Sequence, residues 1–178
     1  LITRPLTADQ NEPARLVVGR GRPACLVFDP SGVIIARYDK MHLFDVEVSD
    51  RQARYCESDS FEPGDQVVWV DTPVARLGLS ICYDLRFPSA FTRVTGEAHW
   101  EVLLRARAIE NQCYVIGCGQ GGVHNAKRET FGHTMIIDPW GTVLSVLPQG
   151  EGVVYADLNL AMLHELRRKM PVHSHRRL

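Results

Sequence analysis

The stretch Gly78-Leu-Ser-Ile-Cys82-Tyr-Asp-Leu-Arg86-Phe-Pro88 decides how this chain is read. Leading into it, Val74 to Ile81 is apolar enough to predict a strand in the centre of a sheet, with Gln66 to Val70 as its neighbour across Asp71-Thr72-Pro73. A cysteine at the end of such a strand can be carried to the surface by a sharp turn into the next element. The backbone N–H groups that follow, starting with Tyr83, could then form an oxyanion hole. The competing reading of Cys82 is a buried structural thiol, and the local sequence leaves both open.

Working outward, two short β-rich runs, Ala24 to Phe28 and Val33 to Tyr38, flank Asp29-Pro30-Ser31-Gly32. Proline presets φ and glycine supplies the permissive corner, so a hairpin is expected. The same pattern returns with Thr134 to Ile137 and Thr142 to Val146 around Asp138-Pro139-Trp140-Gly141, which hints at an internally duplicated sheet architecture. Tyr114 to Gly117 and Gly152 to Asp157 read as further strands. Ala98 to Gln112 places Trp100, Leu103, Leu104 and Ile109 near helical spacing, and Leu160 to Met170 reads as a last helix stopped before Pro171. Strands alternating with helices predict an α/β sandwich.

Bulk properties narrow the function classes. The 178 residues, 45% hydrophobic, suffice for one domain with a substantial core. A formal charge of -1, from 20 Lys+Arg against 21 Asp+Glu, offers no excess charge to recruit nucleic acid or an anionic membrane. No run approaches the ~18 apolar residues of a membrane span, and Leu1 to Arg15 lacks the apolar core of a signal peptide. With five cysteines in no paired spacing, free thiols in a cytoplasmic setting are expected. Gly117-Cys-Gly119-Gln-Gly-Gly122 satisfies a dinucleotide-binding pattern, but the polar run Val123 to Thr130 follows it instead of a helix. It reads as an active-site wall or a turn. His173 and His175, beside Arg176 and Arg177, read as a solvated tail, and neither a metal nor a cofactor is expected.

A second residue with chemical potential is Lys40, in Tyr38-Asp39-Lys40-Met41-His42-Leu43-Phe44-Asp45. Just past a strand, an ammonium could lower a nearby thiol pKa and steady a developing oxyanion; the bland alternative is a solvated surface charge.

Taken together, Tyr-x-Lys-x-His-Leu-Phe-Asp followed by Gly-Leu-x-Ile-Cys-Tyr-Asp-Leu-Arg-Phe-Pro resembles the lysine and cysteine signatures of the nitrilase superfamily of carbon–nitrogen hydrolases. Between them, Cys56-Glu57-Ser-Asp-Ser-Phe61-Glu62-Pro63-Gly64-Asp65 resembles the family segment that carries a second active-site glutamate, a role aligned to Glu57 with Glu62 as the competing carboxylate. The stretch Arg105 to Gln112, Phe131-Gly132-His133-Thr134 and the turn at Asp138 extend the likeness from Cys25 to the end. Gln112 to Ile116, Gly119-Gln120, His124, Arg128 and Pro171-Val172-His173 lean toward the deaminated-glutathione amidase branch over the ω-amidase branch.

The resemblance implies one carbon–nitrogen hydrolase domain over residues 1–178, an α-β-β-α sandwich lacking its N-terminal portion and a helix-strand unit after Cys82. It implies an amidase acting on a small carboxylic-acid amide, with Cys82 as nucleophile, Lys40 as electrostatic stabiliser and Glu57 positioning the lysine or the substrate. Tyr83, Arg86, Arg107, His124 and Arg128 are the candidates for oxyanion and substrate-carboxylate contacts, each also readable as a structural or surface residue. A homodimer or larger homo-oligomer is implied too. The family's general-base glutamate precedes the lysine, and Glu12, in Asn11-Glu12-Pro13, lacks the apolar strand that should lead into it. After Cys82, Pro88 runs directly into Ser89-Ala90-Phe91, where the family inserts a helix and a strand of about 20 residues. The expectation is that both segments are omitted here, not lost from a naturally shortened enzyme. Three rivals stay open: an ω-amidase acting on α-ketoglutaramate, a silent binding module without its base, and a hydrolase in which His42, His99 or His133 serves Cys82.

Overall fold

The structure, a computed structural model, describes residues 20–47, 54–87, 96–125, 128–175 and 177. Glu12 and the Pro88–Ser89 junction lie outside the described residues. The chain divides into two compact units, Leu1–Asp84 and Leu85–Leu178.

In the first unit, three antiparallel ribbons pair in sequence: β1 (Ala24–Phe28) with β2 (Ile34–Asp39), β3 (Asp45–Glu47) with β4 (Arg54–Cys56), and β5 (Trp69–Asp71) with β6 (Arg76–Gly78). The β1–β2 turn is built by Asp29, whose Oδ1 accepts from the Ser31 and Val33 amides at 2.9 Å, while Gly32 takes φ +86. The Asp138 turn repeats this in the second unit. Its Oδ1 accepts from the Trp140 and Thr142 amides at 2.8 Å, Gly141 sits at φ +85, and both hairpins carry a register shift beside the turn. This is the turn-plus-left-handed-glycine arrangement of short hairpin loops, twice from the same four-residue grammar.

The expected central strand Val74 to Ile81 is corrected. It is three residues long, pairs with β5 alone among the described residues, and alternates exposed with half-buried positions. Two features hold it as a surface ribbon: Arg76 lies over the Trp69 ring at 4.0 Å and makes a bidentate contact with Asp71. Leu79 still donates to Val68 O at 3.0 Å; beyond it the chain leaves the ladder, and the Ile81 amide donates to the Asp84 carboxylate at 2.8 Å. The strands β3 and β4 were not foreseen, because three-residue polar segments carry no period.

The second unit comprises α1 (Gly96–Asn111), β7 (Val115–Gly117), β8 (Gly121–Asn125), β9 (Arg128–Phe131), β10 (Thr134–Ile137), β11 (Val143–Leu147) and α2 (Leu160–Lys169). The antiparallel sheet runs β11-β10-β7. Its core joins Leu104 and Ala108 of α1 to Leu85, Val115, Met135 and Ile137, flanked by Trp100, Leu103, Cys113 and Val143. The helix lies close to β7 because Gly117 has no side chain: a Cβ there would stand 2.6 Å from Leu104 Cδ1 and 3.0 Å from Trp100. Gln112, at φ +46, closes α1 in the left-handed region and is buried; its Nε2 donates to Met170 O at 2.8 Å and its carbonyl accepts Arg167 Nε at 2.9 Å, clasping α2.

One pairing was not anticipated, and one further expectation is corrected. The end of the glycine run and the polar residues after it form the β8–β9 hairpin, because Gly121 to Asn125 finds a ladder partner in Arg128 to Phe131. Gly152 to Asp157 forms no strand: Val153 and Tyr155 project outward, and no ladder partner is present among the described residues. No helix among the described residues is long and apolar enough to cross a membrane.

Candidate active site

Cys82 opens a 3-10 helix, Cys82–Arg86, with φ +53 and an exposed side chain. A left-handed backbone at a non-glycine residue stores roughly 1–3 kcal/mol of strain, and such strain persists only where the surroundings enforce it. Of the five thiols, Cys82 and Cys118 are exposed, whereas burial pushes the Cys113 thiol up, keeping it protonated and inert. Between the two readings of Cys82 the structure shows the exposed one, reached by a turn and without the long buried strand, since β6 is three residues long.

The surroundings that enforce the turn converge on Asp84, a fully buried carboxylate. Its Oδ2 accepts from Tyr38 Oη at 2.6 Å and the Ile81 amide at 2.8 Å. Its Oδ1 accepts from the His42 amide at 3.1 Å and lies 2.8 Å from His42 Nδ1. Burial, followed by this hydrogen bond, drives the Tyr38 phenol far above its ordinary range, so it remains a donor. The edge-on packing of the Phe44 and Tyr83 rings, centroids 5.0 Å apart, adds a second tie between the two motifs. Thus the residues around Cys82 are bonded to those around Lys40.

Lys40 is 1% exposed and forms an ion pair with Glu57 Oε2. Its main chain is held on both sides: its amide donates to Pro23 O at 2.9 Å, and its carbonyl accepts from the Gly64 amide at 2.8 Å. Glu57 also accepts from the Phe44 amide at 2.8 Å, which fixes the carboxylate before the lysine reaches it. The turn presenting Glu57 is steadied by Asp45, whose carboxyl the Ser58 amide holds below the usual carboxylate range. Glu62, the competing carboxylate, has a half-exposed side chain 3.6 Å from Arg22. Burial of an ammonium with an acceptor-only partner is what an electrostatic stabiliser requires, and it excludes the solvated-charge reading of Lys40.

The other anticipated residues lie in the second unit. Arg86 Nη2 is 3.2 Å from His99 Nδ1. Arg107 is buried, donating to Leu85 O at 3.2 Å and Glu110 Oε1 at 2.6 Å, the structural role that was its alternative. His124 Nε2 is 2.6 Å from Thr130 Oγ1 across the β8–β9 hairpin, and Arg128 stands in β9 opposite Asn125. An open cavity of about 460 Å³ in this unit is lined by Gln120, His124, Thr134, Pro148 and Glu151 among others. Among the described residues, no group of His, Cys, Asp and Glu is arranged to hold a metal. Sequence reasoning quoted Asp84 and gave it no role; an acid set between Tyr83 and Leu85 was the available signal.

An ordered cysteine turn locked to a buried lysine–glutamate pair accords with what comparison finds. The carbon-nitrogen hydrolase family model matches residues 23–168, and the chain belongs to this family. Among curated relatives, it is 46% identical over 169 residues to the deaminated glutathione amidase of Yersinia enterocolitica, covering 85% of this chain and 59% of that protein. It is 45% identical over 170 residues to the human deaminated glutathione amidase, covering 85% of this chain and 52% of the relative. The crystal structure of the Caenorhabditis elegans NitFhit protein superposes with a TM-score of 0.81 at 43% identity, over 89% of this chain and 42% of that one. The chain therefore spans about half the length of the curated amidases it matches.

Proposed function

We propose that the protein carrying this chain is an amidase that hydrolyses the carbon–nitrogen bond of a small carboxylic-acid amide through a thioester on Cys82. The observation that carries the reading is the bonding of the strained, exposed Cys82 turn to the segment bearing the buried Lys40–Glu57 pair. In the first half-reaction the Cys82 sulfur attacks the amide carbon and the carbonyl π electrons move to oxygen. Lys40 steadies that charge, together with backbone donors that begin at Tyr83. The oxyanion then re-forms the carbonyl, the C–N bond breaks, and the nitrogen leaves protonated as ammonia or amine. Water attacks the thioester, the C–S bond breaks, and acid and thiol are released. By the family resemblance the thiol proton passes to a glutamate that precedes the lysine segment, and no residue of this chain is assigned that role.

Deaminated glutathione is the proposed substrate, supported by the amidase relatives at 45–46% identity. Its carboxylates would meet Arg86, His124 or Arg128, with Arg107 supporting the turn after Cys82. The proposed architecture is one α-β-β-α sandwich domain that includes both units and is completed by an N-terminal portion and a helix-strand unit after Cys82. A homodimer or larger homo-oligomer in the cytoplasm completes the reading. The test is ammonia release from deaminated glutathione and α-ketoglutaramate, with Cys82→Ala as control. Faster release from the first supports the assignment, a preference for the second makes the protein an ω-amidase, and no release from either makes it a silent binding module.

A second reading has one observation in its favour. The His42 ring bonded to the buried Asp84 has the orientation that a carboxylate gives a catalytic base in cysteine and serine hydrolases. Full activity in Lys40→Met with none in His42→Ala would select it.

A further inference from the structure

We propose that Asp84 is the positioning residue of this site: its carboxylate fixes the turn bearing Cys82 against the segment bearing Lys40, and the reactivity of the thiol depends on it. The inference deepens the amidase reading and rests on it. All four atoms around the carboxylate can donate, two to each oxygen: Tyr38 Oη and the Ile81 amide to Oδ2, and the His42 amide and Nδ1 to Oδ1. Only an ionised carboxylate accepts from all of them. Two of these donors are backbone amides that cannot reverse their polarity. One, Ile81, directly precedes the nucleophile; the other, His42, lies two residues past the lysine. Tyr38 lies two residues before Lys40, and its hydroxyl also accepts from the Met41 amide at 3.3 Å. The carboxylate therefore brackets Lys40 from both sides while it holds the turn of Cys82.

An asparagine at this position distinguishes fixing from filling. It keeps the shape and one acceptor oxygen, but its NH2 must face either the Ile81 or the His42 amide, so one anchor opens while the volume stays the same. The consequence is read at the thiol, whose rate of alkylation depends on how the turn presents its sulfur to the reagent. The titratable groups bonded to the carboxylate are Tyr38 and His42, both on the lysine segment, while Lys40 and Glu57 pair with each other.

The experiment measures alkylation of Cys82 by iodoacetamide against pH, followed at the peptide level so that Cys118 does not interfere. It compares the whole protein with its Asp84→Asn, Tyr38→Phe and Lys40→Met variants, each held well below its own melting temperature. The expected result is a rate–pH profile displaced downward in Asp84→Asn, with alkylation slowed about tenfold at neutral pH by the loss of one anchor. Tyr38→Phe should move it the same way by less, and Lys40→Met at least as far. A folded Asp84→Asn with the wild-type profile, while Lys40→Met shifts, overturns the positioning role and leaves the amidase reading intact. If Lys40→Met leaves the profile unmoved, the electrostatic role of the lysine falls and this proposal falls with it. Should Asp84→Asn fail to fold, Tyr38→Phe decides: a wild-type profile overturns the proposal, and slowed alkylation supports it.

Discussion

Replacing Gly64 with alanine tests whether Lys40 is placed by its main chain. The Gly64 amide donates to Lys40 O at 2.8 Å, so the two backbones run close together. A Cβ at Gly64 would fall on the carbonyl oxygen of Asp39, with the Asp39 carbonyl carbon and Cβ each at 2.9 Å. The obstacle is mostly backbone, which cannot turn aside as a flexible side chain can. Overpacking of this kind costs about 1–3 kcal/mol, and a loosened hydrogen bond to Lys40 about 1 kcal/mol more. A loss of about 2–4 kcal/mol corresponds to a melting temperature lowered by roughly 5–15 °C for a chain of this size. If Lys40 shifts by about 1 Å, kcat should fall about a hundredfold. Gly32→Ala is the matched control: at φ +86 with open space around it, it carries only the left-handed penalty of about 1–2 kcal/mol and should leave kcat unchanged. Thermal melts and initial rates on both variants suffice. A Gly64→Ala protein with wild-type stability and turnover would refute the close approach on which the placement of Lys40 depends.

Glu57→Gln keeps an acceptor for the Phe44 amide but leaves the buried Lys40 ammonium without its anion, so stability should fall by about 1–3 kcal/mol, moderated by the partial exposure of Glu57, as urea unfolding would report. The same variant should lose about a hundredfold in kcat with little change in KM, because the lysine acts on the transition state. For Asp45, the Ser58 amide lowers the folded-state pKa below 3.8, so its stabilisation is present above the unfolded value and disappears as pH falls through the folded one. Asp45→Asn should therefore flatten the loss of stability below about pH 4 in urea titrations, and an unchanged acid limb would contradict this. At neutral pH iodoacetamide should label Cys82 and Cys118 well before Cys113, whose buried thiol stays protonated; peptide mapping showing Cys113 labelled first would be inconsistent with the packing of the second unit.

The hairpins at Asp29 and Asp138 were legible because proline, glycine and a side-chain acceptor act within four residues. The helix over Ala98 to Gln112 was equally legible, since Trp100, Leu103 and Leu104 carry a period that burial enforces, although Ile109, read onto the same stripe, is exposed. Local pattern misled where pairing partners decide the outcome. The run from Val74 to Ile81 is apolar enough for a central strand, yet Asp84 draws the Ile81 amide out of the ladder. The hairpin strand opened by Gly121 carries no period of its own and forms because Arg128 to Phe131 pairs with it, while Gly117 closes β7. At the site, Cys82, Lys40 and Glu57 were identified through the family resemblance, which carries the order of motifs but not their bonding. The role of Asp84 could not be read, since its four donors come from residues up to 46 positions away.

The central claim, a thioester on Cys82 formed beside a buried lysine, is tested most directly by trapping it. The whole protein is mixed with deaminated glutathione, quenched in acid within milliseconds to seconds, and digested for peptide mass analysis alongside an ammonia assay. The account predicts an acyl adduct on the peptide containing Cys82, absent in Cys82→Ala together with all ammonia release. Ammonia release that persists in Cys82→Ala, or an adduct on any other residue, would contradict it.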